Sequence, residues 1–196
     1  CIDCQPGFHF NMSLSLGIAI DACLPCGVGQ YQPTPGMTQC LECGVGQYQN
    51  QKSKSSCIDC PGGRKFEPSG TSGVSLTDDC VKCGIGEYQN ATGSTFCLDC
   101  PPGKKGTIAG VSTEEASCED CTAGQYRTGK MTDATTCVGC PMGYSQSETG
   151  QASCLPCIPG EFQNITGQPS CETCPENTKS EEANSTQCDS CGIGEK

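Results

Sequence analysis

The sequence predicts a small disulfide-rich fold, an elongated rod of tandem C-x-x-C hoops with little regular secondary structure and at most short β-hairpins. Three observations lead there. Of 196 residues, 22 are Cys, well into the range of a disulfide scaffold. The chain holds no Trp and only five Phe and five Tyr, too few large apolar side chains for a continuous core, so crosslinks must supply what burial does not. All the cysteines fall into eleven C-x-x-C pairs, opening at Cys1, Cys23, Cys40, Cys57, Cys80, Cys97, Cys118, Cys137, Cys154, Cys171 and Cys188.

The repeated unit is clearest from Cys83 to Cys100, C-G-I-G-E-Y-Q-N-A-T-G-S-T-F-C-L-D-C. From the second cysteine of one pair to that of the next, the steps run 22, 17, 17, 23, 17, 21, 19, 17, 17 and 17. The base period is thus 17 residues, and such a repeat decides architecture. The loops come in two kinds. One opens with Gly-x-Gly-x-Tyr or a near relative, at Gly44 to Tyr48, Gly84 to Tyr88, Thr122 to Tyr126 and Ile158 to Phe162. The other opens with Pro61, Pro101, Pro141 or Pro175 directly after the cysteine. From Cys43 onward the kinds alternate. The expected organisation is one tandem array over residues 1–196, about ten hoops, forming a segment of a longer protein. With 26 Gly and 13 Pro the hoops themselves should be turns.

The pair spacing is constant while loop length varies, so a rigid joint is kept while the hoops change. After the first cysteine of a pair comes an aliphatic residue in eight cases, Ile2, Leu24, Leu41, Ile58, Val81, Leu98, Val138 and Leu155. Each is expected to pack on a neighbouring disulfide and on a loop aromatic, namely Tyr31, Tyr48, Phe66, Tyr88, Tyr126 or Phe162. Disulfides would hold these small clusters, each contributing about 3 kcal/mol for a loop of about 15 residues. Three loops are long. The first places Leu14, Leu16, Ile18 and Ile20 in alternation, as on one face of a strand. The others hold Val74 with Leu76, and Ile108 with Val111. These side chains either fold onto their own repeat or form contact patches, and an open strand edge favours pairing with another chain.

Parity leaves two connectivities. In a ladder the second cysteine of each pair bonds the first of the next: Cys4 to Cys23, Cys26 to Cys40, Cys43 to Cys57, Cys60 to Cys80, Cys83 to Cys97, Cys100 to Cys118, Cys121 to Cys137, Cys140 to Cys154, Cys157 to Cys171, and Cys174 to Cys188. In an interlaced arrangement two successive pairs bond first to third and second to fourth, which suits the alternation of loops but orphans one pair.

C-x2-C-x13-C-x2-C spacing also lies close to that of zinc modules. Against zinc, four-thiolate sites would strand one of eleven pairs and add negative charge to a chain already at −11. The sole histidine, His9, reads as a loop residue, and no metal ligand is expected. A thioredoxin-like role needs one C-x-x-C in an α/β frame, which is absent. The acidic doublets Asp78-Asp79, Glu114-Glu115 and Glu181-Glu182 make no calcium loop. No catalytic group or cofactor is expected. Asn-x-Ser/Thr sequons occur at Asn11, Asn90, Asn164 and Asn184, and the first three stand seven residues after the second cysteine of a pair. N-linked glycans are expected at all four. Dispersed Lys and Arg exclude a nucleic-acid partner, and no apolar run reaches the roughly 20 residues of a membrane span.

The signature C-x-x-C-(P/G)-x-G-x-(Y/F), carried by Cys83-Gly-Ile-Gly-Glu-Tyr88, Cys157-Ile-Pro-Gly-Glu-Phe162, Cys100-Pro-Pro-Gly103 and Cys140-Pro-Met-Gly-Tyr144, resembles the ephrin-receptor-like cysteine-rich repeat. That repeat belongs with the growth-factor-receptor and TNF-receptor-like cysteine-rich families. The resemblance implies extracellular rods of stacked disulfide hoops, which serve as receptor stalks, ligand-binding ectodomains, protist surface coats and mastigoneme-type proteins. Cys174-Pro-Glu-Asn-Thr departs from the signature in lacking both Gly and aromatic. The expected function is structural and non-enzymatic: a glycosylated segment of an extracellular filament or cell-surface stalk that self-associates or joins another extracellular protein. The alternative is a ligand-binding receptor ectodomain.

Overall fold

A computed structural model describes residues 3–11, 23–68, 79–129 and 134–192. Ten disulfides run in series and define ten hoops, numbered here from Cys4–Cys23 as hoop 1 to Cys174–Cys188 as hoop 10. The pairing is that of the ladder and not the interlaced arrangement. Cys191 has no disulfide partner among the described residues. Leu14, Leu16, Ile18, Ile20, Val74 and Leu76 lie outside the described residues.

Among the described residues, secondary structure is confined to two-stranded antiparallel hairpins and one four-residue helix, Glu114–Ser117. In each hairpin the first strand follows the opening turn of a hoop and the second is the middle of the C-x-x-C that closes it. Thus Gln47–Tyr48 pairs with Ile58–Asp59, in the register Gln47 to Asp59 and Tyr48 to Ile58. Pairs this short do not stand alone in water, so the disulfide at their end is what keeps them paired. In hoops 1, 4 and 6, whose cysteines are 19, 20 and 18 residues apart, the ladder gains a third pair that reaches the closing cysteine: Phe10 to Cys23, Phe66 to Cys80, and Gly106 to Cys118. Extra loop length therefore lengthens the hairpin and leaves the joint unchanged.

A backbone stitch joins each hoop to the next. Counting from the opening cysteine, the Gly N–H at position 3 of hoops 1, 2, 4 and 6 to 9 donates to the carbonyl at position 6 of the following hoop, as in Gly29 to Gln49, Gly143 to Gln163 and Gly160 to Ser180. The N–H at position 6 reaches position 11 of that hoop, as in Gln32 to Lys54 and Gln163 to Ser185. In return, position 10 donates to the previous opening cysteine, as in Gly93 to Cys60 O and Gly167 to Cys140 O. Backbone groups that a larger sheet would satisfy are satisfied between hoops.

Hoops also touch their second neighbours. Position 3 has a positive φ, +85° at Gly46 and +81° at Gly143. A Cβ on Gly46 would overlap the carbonyl oxygen of Gly93, two hoops on, and one on Gly143 would overlap that of Asn184. Glycine is required there twice over, for its dihedral and for the bare surface it offers. Where hoop 10 departs from the signature, Asn177 takes the same left-handed conformation at φ 64°, which Asn tolerates better than most residues.

By contact the chain divides into two compact units. One comprises residues 1–83, 88–98 and 110–113, and the other comprises residues 84–87, 99–109 and 114–196. In both, the buried layer is mostly sulfur: Cys26, Cys60, Cys83, Cys121, Cys140 and Cys157 are fully buried, and all are opening cysteines.

The double requirement at position 3 separates three substitutions. Gly44→Ala, whose Cβ would meet only Gln47 Oε1 at 3.8 Å, should shift stability by less than about 0.5 kcal/mol. Gly160→Ala, with φ +87° but nothing within 4 Å of its Cβ, should cost only the left-handed strain of about 1–2 kcal/mol. Gly46→Ala adds overlap to strain and should cost about 3 kcal/mol or more. Urea unfolding with the disulfides intact orders the three.

Candidate functional site

The most constant side chain of the hoops, after cysteine and glycine, is a glutamine at position 6, and it is buried. Gln32, Gln49, Gln89, Gln146 and Gln163 are each no more than 5% exposed. In every one, Nε2 donates to the carbonyl seven residues later, Gln39, Ser56, Phe96, Ser153 and Ser170 respectively, at 2.6–2.9 Å. Oε1 in turn accepts the N–H two residues later, from Thr34, Gln51, Ala91, Glu148 and Ile165. One amide thus closes the crown of the hoop from inside, taking the place of a missing sheet. In hoop 7 Arg127 stands at this position, buried, with Nη1 donating to Lys104 O at 2.9 Å and Cys100 O at 3.4 Å.

The expected aliphatic–aromatic clusters form only in part. Tyr48 does pack on the Cys60–Cys80 disulfide together with Phe66. Cross-strand pairs also match the expected partners, Tyr31 with Leu41 and Tyr126 with Val138. However, Leu41, Ile58, Val81, Val138 and Leu155 are exposed, so they cover the rim of the hairpin and are not its core. The reason is the hairpin's size: with two residues per strand, one face carries the disulfide and the other has no second layer to meet. Of the long-loop patch, Ile108 is exposed, whereas Val111 is half-buried and accepts the Gln89 N–H through its carbonyl.

The two loop kinds differ in surface chemistry. Ion pairs occur at Lys65–Glu67, Lys104–Glu114, Lys104–Asp120, Lys105–Glu119 and Lys179–Glu181, all at hoops 4, 6 and 10, which open with Pro. A hydrogen bond to Glu114 raises the Lys104 pKa above its ordinary value. Desolvation opposes this, and the charges of Glu114 and Asp120 reinforce it. Apolar tips are exposed at Val45, Ile85 and Ile158 of the Gly-Tyr hoops and at Met142 of hoop 8, a Pro hoop.

The sequons occupy two different places. Asn90 and Asn164 are exposed and follow directly on the buried Gln89 and Gln163, while Asn11 is half-buried. Asn184 stands at position 10, with φ 56°, its N–H on Cys157 O at 2.8 Å and its Nδ2 donating to the Tyr144 hydroxyl at 3.4 Å. It is part of the stitch between hoops. His9 is not in a loop: it lies in the strand Phe8–Phe10, with Nδ1 3.2 Å from Cys40 Sγ.

Sequence reasoning missed the glutamines. Their signal was present as a residue recurring at one position, Tyr31-Gln32, Tyr48-Gln49, Tyr88-Gln89 and Phe162-Gln163, but a polar residue beside a turn reads as solvated.

Compared with known proteins, the chain matches the family model described as tyrosine-protein kinase ephrin type A/B receptor-like over residues 36–76, 70–116, 129–166 and 143–191. No curated protein matches it.

Two outcomes follow from these contacts. Gln163→Ala strands the Ile165 N–H and the Ser170 carbonyl, at about 1–3 kcal/mol each, and should destabilise by about 2 kcal/mol or more. By comparison, Leu155→Ala, at a site 60% exposed, should stay within about 0.5 kcal/mol in the same unfolding assay. For Lys104, a raised folded pKa means its contribution is complete at neutral pH and is lost as pH rises through that value. Lys104→Met should remove that strongly alkaline loss and leave the neutral profile unchanged in shape.

Proposed function

Because the chain belongs to the ephrin type A/B receptor-like family of cysteine-rich repeats, we propose that it serves as a structural segment of an extracellular filament or cell-surface stalk. Repeats of this family are non-catalytic ectodomain modules, and ten disulfides fit an oxidising, extracellular setting. No described helix is long and apolar enough to cross a membrane.

One observation carries the reading. Each disulfide closes its own hoop while backbone hydrogen bonds stitch successive hoops, as from Gly143 to Gln163, so load applied along the chain meets closed hoops and stitched backbone. Glycans at Asn11, Asn90 and Asn164, together with the acidic surface, hydrate and shield the hoops. The receptor-ectodomain reading draws support from the exposed apolar tips Val45, Ile85 and Ile158, which would meet a protein ligand.

Sedimentation over a concentration series, with negative-stain imaging, tests the choice. Concentration-dependent polymers are expected, and a monomer at every concentration overturns the filament and leaves the ectodomain. Intact mass before and after enzymatic deglycosylation checks the sugar, with loss of glycan mass expected at Asn90 and Asn164. An unchanged mass removes the glycans from the proposal.

A further inference from the structure

One joint carries a side chain that the others lack. Among the described residues, His9, Cys26 and Cys40 bring an imidazole nitrogen and two sulfurs within 4.8 Å of one another. Cys26 and Cys40 are bonded, closing hoop 2 with a Cα separation of 5.6 Å. In hoops 3 and 8 the residue at His9's position also meets a cysteine of the next hoop: Tyr48 packs on Cys60 and Cys80, and Ser145 Oγ lies 3.2 Å from Cys171 Sγ. His9 is the only histidine of the chain. This one disulfide therefore has a metal-competent nitrogen already against its sulfur.

We propose that opening the Cys26–Cys40 disulfide creates a zinc site of two thiolates and one imidazole, Cys26, Cys40 and His9. A dithiol attacks Cys40 Sγ, since Cys40 is half-buried while Cys26 is fully buried. The S–S bond breaks, and Cys26 leaves as a thiolate and takes a proton. The reductant's second sulfur then attacks its own sulfur in the mixed disulfide, Cys40 leaves as a thiolate, and the dithiol ends as a disulfide, having supplied two electrons. Zinc displaces the two thiol protons, and its charge cancels that of the two thiolates. The Nδ1 of neutral His9 is the third ligand, and water completes a tetrahedron. Zn–S bonds of about 2.3 Å call for sulfurs about 3.7 Å apart, a separation that rotation about the Cβ–Sγ bonds supplies.

Hoop 2 does not depend on its disulfide alone to keep the two sulfurs close. Gln32 spans the crown, with Nε2 on Gln39 O at 2.6 Å, one residue before Cys40. The Gly36 N–H is bound to Cys4 O, and the Cys26 N–H to Gly7 O, at 2.8 and 2.9 Å. Phe10, beside His9, donates through its N–H to Met37 O of hoop 2 at 2.8 Å. The ligand-bearing strand is thus pinned to the hoop it would serve.

The test treats the full chain with a trialkylphosphine, which reduces a disulfide with water and becomes the phosphine oxide, in the presence and absence of zinc chloride. Retained zinc is counted after gel filtration, and thiols are mapped by alkylation and mass spectrometry. Expected is one zinc per chain, with Cys26 and Cys40 reduced together and shielded from alkylation only when zinc is present. His9→Tyr and His9→Ser, which install residues that other hoops carry at this position, should form the same ten disulfides and bind zinc at least about tenfold more weakly, since loss of even an outer-shell partner costs that much. Failure to retain zinc, retention by other cysteine pairs, or unchanged affinity in both His9 variants overturns the proposal.

Discussion

The opening cysteine of each hoop bonds in three directions, and the rest of the structure hangs on it. Its sulfur closes its own hoop. Its N–H donates to the position 3 carbonyl of the hoop before, as Cys60 does to Gly46 and Cys157 to Gly143, and its carbonyl accepts position 10 of the hoop after. These residues are buried because three neighbours converge on them, which is how a chain with so few large apolar side chains still has an inside. Burial of sulfur does the work that Leu and Phe do elsewhere.

From this joint the division between constant and variable positions follows. Position 3 is left-handed, and in hoops such as 3 and 8 it must also be bare, because a carbonyl two hoops away rests on it. At position 6 of five hoops a glutamine fills the crown and pairs two backbone groups, its amide having one donor end and one acceptor end in the right order. Positions 10 and 11 carry the contacts to earlier hoops, and hoop 6 inserts its helical turn, Glu114–Ser117, after them, without altering the Cys118 register with Gly106. The alternation of loops acquires a physical sense as well, since second-neighbour contact places each hoop against one of its own kind.

Much of this was legible in the sequence. The C-x-x-C pairs and the recurrent glycine at position 3 announce themselves, because bonding and dihedral requirements act on single residues and leave single letters behind. Short hairpins followed from turn residues and from the lack of apolar runs. The role of Gln49 or Gln163 was hidden for a different reason: burial of a polar group is permitted by its partners, and those partners are backbone atoms that any residue supplies. The approach of Gly46 to Gly93 left no trace in composition, since it consists in the absence of a side chain. Leu41 and Leu155 misled because hydrophobicity reports what burial would gain and not whether a second layer exists to provide it.

The two residues inside each C-x-x-C form a strand, and this governs how the chain oxidises. Extended backbone sets cysteines three residues apart about 10 Å from each other, beyond the reach of a disulfide. Once a hairpin such as Gln47–Tyr48 with Ile58–Asp59 has formed, Cys57 and Cys60 cannot join, and Cys57 has only the thiol upstream of it, Cys43, in reach. Strand formation thereby sets the phase of the ladder.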